Sequence, residues 1–305
     1  MLPGSLCTMD RRSFVHAGLA ASTAAALNTV SRGMPHGAHP SQISAPANDL
    51  PSVRRGRLRQ SVCAWCFAGM SLDELCELAK DVGIGSVELL SEDELRVPAK
   101  HGLTCAVANG PGGITKGWNR RENHDELVAK SEALLPKIAA ASVTQMIVFS
   151  GNRAGLSDAE GLKNCAEGLR RITPLADKCG VTVIMELLNS KVDHGDYMCD
   201  RTAWGVELCK SVGSDRFKLL YDIYHMQVME GDVIRTIRDN HQYIAHYHTA
   251  GNPGRSNLDD SQELNYKGIC EAIMGTGFKG WVAQEFMPRG DARTSLAAAV
   301  RICDV

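Results

Sequence analysis

From residue 60 onward the chain repeats one arrangement eight times, a short β-rich run followed by a longer stretch of helical periodicity. The runs are Ser61–Cys66, Ser86–Leu90, Thr104–Asn109, Gln145–Ser150, Val181–Glu186, Lys218–Asp222, Tyr243–His248 and Gly280–Glu285. Between them, stretches such as Leu72–Val82, His124–Ala141, Leu162–Cys179 and Leu264–Met274 place apolar residues three and four apart, the period of an amphipathic helix. Ser71 with Glu74 and Ser157 with Glu160 have the spacing of a capping box. Gly83 and Gly180 each follow a helical run and precede a strand, as helix-stopping glycines do.

Eight strand–helix units in about 245 residues predict an α/β fold, the (β/α)8 or TIM barrel, which typically takes about 250. The rival is an open doubly wound sheet, which normally carries a glycine-rich phosphate turn after an early strand. The nearest segment here is Asn109-Gly110-Pro111-Gly112-Gly113, where Pro111 removes a backbone donor. The barrel is therefore the expected fold.

The first 47 residues read differently. Asp10-Arg11-Arg12-Ser13-Phe14-Val15 precedes an alanine-rich stretch, Ala17 to Val30, and then a Pro/His/Ser/Gly-rich segment with Ala45-Pro46-Ala47, a small-x-small cleavage pattern. Residues 1–47 are thus expected to be a twin-arginine-type signal and linker, and 48–305 the barrel. Such a signal implies an exported, periplasmic protein; the alternative is a cytoplasmic N-terminal extension. A net charge of −2 gives no reason to expect nucleic acid or a membrane surface as partner. No apolar run reaches the roughly 18 residues of a membrane span.

Eleven cysteines invite a disulfide reading, but Cys76, Cys165, Cys179, Cys209, Cys270 and Cys303 fall in predicted helices or at their ends. There a cysteine serves as a small apolar residue. Cys63 and Cys66 have redox-motif spacing on the first predicted strand, with no second pair to complete a zinc site, and are expected to pack in the barrel.

In a barrel, polar residues at the C-terminal ends of strands face the active site. Four consecutive predicted strands end in a hard-metal ligand: Glu186, Asp222, His248 and Glu285. Three carboxylates and an imidazole without a thiolate favour one divalent ion, Mn²⁺ or Mg²⁺. A salt-bridge network is the alternative, but an unpaired buried carboxylate costs roughly several kcal/mol. His246 shares a strand face with His248, one layer deeper, and is expected to support rather than ligate. Asn189 and His225 each lie three residues past a ligand, and Arg255 seven past His248. Together they form a candidate cradle for a polar substrate, with Arg255 suited to grip a carboxylate.

These residues resemble the xylose isomerase-like superfamily and, within it, the hydroxypyruvate isomerase family. The likeness runs from about Arg59 to the C-terminus. It is carried by Tyr221-Asp222-Ile223-Tyr224-His225-Met226-Gln227 with Met229-Glu230-Gly231, by Glu186-x-x-Asn189, by Asn252-Pro253 leading to Arg255, by Glu263-Leu264-Asn265-Tyr266, and by the Glu285 strand. The resemblance implies a barrel with Glu186, Asp222, His248 and Glu285 on the metal. It also implies Glu186 and Glu285 as the catalytic acid–base pair, and His225 and Arg255 on the substrate. The implied reaction is isomerisation through an enediolate, hydroxypyruvate to 2-hydroxy-3-oxopropanoate. Histidine at 248 matches ketose 3-epimerase relatives, whereas hydroxypyruvate isomerases are expected to carry glutamine there. Leu187 and the Ser190–Gly195 segment also depart from the pattern.

Epimerisation of a ketose at C3 therefore stays open, as does an exported sugar-binding barrel without turnover. The expected partner is a small hydroxy-carbonyl or sugar substrate, with a possible homo-oligomer. The apurinic-endonuclease branch is set aside: it would need three metals and histidines on strands three and four. Those predicted strands end in Val107-Ala108-Asn109 and Val148-Phe149-Ser150.

Overall fold

Eight parallel strands wind in chain order around a nearly closed barrel: β1 Arg59–Cys63, β2 Ser86–Glu88, β3 Val107–Asn109, β4 Gln145–Val148, β5 Thr182–Leu187, β6 Phe217–Asp222, β7 Ile244–Thr249 and β8 Trp281–Gln284. The computed structural model describes residues 56–305. The twin-arginine segment, the Ala45-Pro46-Ala47 pattern and the expected boundary at 47 lie outside the described residues. Hydrogen-bonded neighbours run β2-β1-β8-β7-β6-β5-β4-β3. The seam between β2 and β3 is closed by isolated bridges, Ser86 to Thr104 and Leu90 to Ala108. The expected (β/α)8 architecture is the observed one.

Capping chemistry sets the helix starts. Ser71 and Ser157 both close reciprocal capping boxes, with Glu74 and Glu160, so the fourth-unit helix begins at Asp158, where that box places it. Gly83 and Gly180 end their helices at positive φ, a conformation that costs glycine little. Inside the barrel, Val107, Ile147, Ile184 and Leu220 form a small apolar cluster of their own. Because side chains alternate along a strand, Glu186 and Asp222 lie on the same face as Ile184 and Leu220, one layer nearer the mouth.

Two strand boundaries shift. β1 stops at Cys63, and Ala64–Phe67 forms a 3-10 turn, so Cys66 is off the strand though still buried. β3 starts at Val107, because Thr104 is engaged only in the seam bridge. The ten cysteines among the described residues are all free, as the helix placement suggests. No helix among the described residues is long and apolar enough to cross a membrane.

Candidate active site

Four consecutive strands deliver Glu186, Asp222, His248 and Glu285 to one point. One ligand atom from each lies within 4.8 Å of all the others, and all four side chains are buried. Glu186 is the penultimate residue of β5, Asp222 the last of β6, His248 the penultimate of β7, and Glu285 directly follows β8. Asp222 does two jobs: its Oδ1 caps the helix Ile223–Met229 by accepting from the His225 amide at 3.1 Å, leaving Oδ2 for the cluster. His248 spans the floor. Its Nδ1 lies 2.8 Å from Glu285 Oε2 and 3.4 Å from Glu186 Oε1, and its Nε2 is 3.0 Å from Glu88 Oε1.

The βα loops close over this floor. The loop after β7 turns back through an antiparallel bridge, Gly251 to Ser256, and holds Arg255 at a left-handed φ of 49°. From there Arg255 Nη2 donates to Glu285 Oε2 at 2.6 Å and lies 3.3 Å from Asp222 Oδ2. The guanidinium sits between two rings, 5.1 Å from the centre of Trp65 and 5.8 Å from that of Tyr224. Trp65 Nε1 donates to Glu285 Oε1 at 2.8 Å. A Cβ on Gly251 would stand 2.2 Å from the Asn257 carbonyl oxygen. Gly251→Ala is therefore expected to cost about 1–3 kcal/mol of stability as the loop is forced open, a loss readable by urea denaturation.

Asn189 is fully buried and its amide is committed within the protein. Oδ1 accepts from the amides of Val192 and Asp193, while Nδ2 donates to Asp193 and, at 2.6 Å, to His225 Nδ1. An imidazole that accepts on Nδ1 carries its proton on Nε2. That Nε2 has no hydrogen-bond partner among the described residues and lies 3.6 Å from Asp222 Oδ2. Burial, then the Arg255 charge, push the His225 pKa well below the usual histidine value, so the ring is neutral with one N–H to offer.

The two glutamates are held in different states. Burial, then the charge of Glu285, raise the Glu186 pKa, and its Oε1 has no hydrogen-bond partner among the described residues. Burial acts the same way on Glu285, but His248 and Arg255 outweigh it and hold that carboxyl well below its ordinary range. Asp222 is raised by burial, with Arg255 pulling against it. Three carboxylates so deep in the barrel cannot all be anions without cations close by. Hard oxygen donors with one imidazole, and an unpartnered carboxylate oxygen on Glu186, suit a divalent ion.

Sequence reasoning missed Glu88 and Trp65. Glu88 ends β2, yet the β-rich run continues through Leu89-Leu90, which hides the strand end. Leu89 turns the chain at φ 59°, a conformation that nothing in its residue type announces. Trp65 lies in the 3-10 turn that the pattern extended as strand. Glu88 sits under His246 and His248; burial opposes its charge, but the two histidines hold its pKa down at about 2. Burial pushes the neighbouring Cys63 thiol up, so it stays neutral.

A barrel whose strand ends gather three carboxylates and an imidazole under a loop arginine can hold a divalent ion beside a small polar substrate. By comparison with known proteins, the chain belongs to the xylose isomerase-like TIM barrel family, whose model matches residues 76–302. A 2-oxo-tetronate isomerase of Cupriavidus necator is 36% identical over 74% of this chain and 90% of that protein. The hydroxypyruvate isomerase of Escherichia coli is 29% identical over 47% of this chain, about half (55%) of its own length. An AP endonuclease, family 2, from Brucella melitensis superposes with a TM-score of 0.72 at 25% identity, covering 79% of this chain and 97% of that one. A D-psicose 3-epimerase from Clostridium cellulolyticum superposes at 0.66 and 17% identity over 81% of this chain and 96% of its own, a likeness of fold. The curated relatives are isomerases, and this chain is an enzyme of that class.

Proposed function

We propose that the chain isomerises a short 2-oxo acid bearing an adjacent hydroxyl, using one divalent ion held by Glu186, Asp222, His248 and Glu285. The reading rests above all on four donor atoms lying within 4.8 Å of one another. Such an ion, Mn²⁺ or Mg²⁺, would act as a Lewis acid on the substrate's carbonyl and hydroxyl oxygens. The other steps belong to the chain. Glu186, with a raised pKa and an unpartnered Oε1, takes the proton from the carbon that bears the hydroxyl. The same proton returns from Glu186 to the neighbouring carbon of the enediolate, with Glu285 beside it as a fixed carboxylate, while the hydroxyl proton moves to the former carbonyl oxygen. On hydroxypyruvate this gives 2-hydroxy-3-oxopropanoate, and on a four-carbon 2-oxo acid the corresponding 3-oxo acid.

His225 offers Nε2–H to a substrate oxygen, and Asn189 keeps that tautomer in place. Arg255 grips the substrate carboxylate through its free Nε edge. Delivery of a proton to the opposite face of the same carbon would make the site a ketose 3-epimerase, which is why the carboxylate matters for choosing between them.

The choice is tested by comparing kcat/KM on hydroxypyruvate, 2-oxo-tetronate, D-psicose and D-fructose. Acids should exceed ketoses at least about tenfold, since a charge-assisted pair contributes roughly 1.5–3 kcal/mol. Arg255→Lys should erase most of that preference by raising KM for the acids, because an ammonium cannot reproduce the planar fork. Ketoses turned over faster than both acids would contradict the assignment.

A further inference from the structure

Glu88 is a fourth acidic strand end, fully buried, whose side chain takes no place among the four converging ligand atoms. Its Oε1 instead accepts from two imidazoles, His246 Nε2 at 2.8 Å and His248 Nε2 at 3.0 Å. The two histidines lie two residues apart on β7 and so project from the same face, their rings nearly perpendicular at 86° with centroids 5.2 Å apart. His248 is thus held from both sides. Its Nε2 edge is fastened to β2, and its Nδ1 edge is turned to Glu285 and Glu186.

We propose that Glu88 is a positioning residue for His248: it holds the proton on Nε2, fixes the ring plane, and thereby presents the Nδ1 lone pair to the cation. The inference rests on the metal reading given above and extends it to a residue outside the ligand set. An imidazole has two nitrogens and one proton when neutral, so a carboxylate fixed against Nε2 decides which nitrogen is free. His246 makes the arrangement rigid. A carboxylate held by His248 alone could swing with it, whereas the second hydrogen bond, from a ring one layer deeper, ties Oε1 to the barrel floor. Carboxylate–histidine–metal arrangements of this kind orient the ligand and raise its basicity. Cys63 Sγ, 3.8 Å from His248 Nε2 and 3.9 Å from Glu88 Oε1, completes the wall of this pocket. A rival arrangement would have Cys63, Glu88 and His248 Nε2 hold a cation of their own, and it requires the opposite protonation of Nε2.

The test uses the full-length chain. In the Mg²⁺-loaded, ¹⁵N-histidine-labelled protein, long-range ¹H–¹⁵N spectra, assigned with His248→Gln, should show His248 protonated at Nε2 and unprotonated at Nδ1. Mn²⁺ affinity, followed by the EPR signal of the free ion, should fall about 10–100-fold in Glu88→Gln. The same variant should show mixed His248 tautomers, a signature that a general loss of packing would not produce. An unprotonated Nε2 in the wild-type protein overturns the proposal even if the variant fails to fold. An unchanged Mn²⁺ affinity in folded Glu88→Gln overturns it too, while leaving the four-residue site standing. A wild-type chain that takes up no Mn²⁺ overturns the site itself and the role of Glu88 with it.

Discussion

Glu186→Gln is expected to lower kcat by roughly 10²–10⁴-fold, the usual contribution of a positioned general base. The substitution keeps the shape of the side chain and an oxygen that could face a cation, but removes the group proposed to take the proton. Its surroundings already mark Glu186 for that work. Glu285 is fully engaged, with Oε1 accepting from Trp65 and Oε2 accepting from Arg255 and lying 2.8 Å from His248 Nδ1, whereas Glu186 Oε1 has no hydrogen-bond partner among the described residues. Burial and the Glu285 charge raise the Glu186 pKa, which makes its carboxylate the better base. Activity should rise with pH as Glu186 loses its proton, and this limb should vanish in the glutamine variant. Activity retained in Glu186→Gln would move the base elsewhere.

Removing the metal should be at least as damaging. A bound divalent ion contributes several kcal/mol of charge stabilisation in reactions of this class, and about 4 kcal/mol corresponds to roughly 10³-fold in rate. Chelation is expected to abolish turnover, and Mn²⁺ or Mg²⁺ to restore it. Asp222→Asn separates loss of the ion from loss of the fold. Asparagine is as good an N-cap as aspartate, so the helix Ile223–Met229 keeps its start, while the cluster loses one anionic donor. The variant should fold, bind Mn²⁺ much more weakly and lose the metal-dependent rise in melting temperature that ligand linkage gives the parent. Turnover indifferent to chelation would contradict the metal reading.

Much of this was visible in the residue pattern, for physical reasons. Barrel strands are buried on both faces and read as short apolar runs, so a carboxylate or imidazole at the end of such a run stands out. Glu186, Asp222, His248 and Glu285 were all located that way, and they converge. The hydrogen-bond pairing of loop residues was not visible. Asn189 reads as one more polar group near a ligand, but the fold spends its whole amide on Asp193, His225 and two backbone amides. Arg255 reads as a free cation seven residues past His248, yet it reaches Glu285 and Asp222 and stacks between Trp65 and Tyr224. Glu88 was hidden because its strand ends by a backbone turn at Leu89, which leaves no mark in composition.

The central step of the proposed reaction is proton abstraction beside a carbonyl, assisted by a metal ion. The full-length chain, loaded with Mn²⁺ in D₂O, should carry deuterium from solvent into hydroxypyruvate or 2-oxo-tetronate and their products, followed after metal removal by ¹H NMR. That uptake should disappear on chelation and in Glu186→Gln. An absence of metal-dependent exchange and of product, with both acids and with D-psicose and D-fructose, would contradict it.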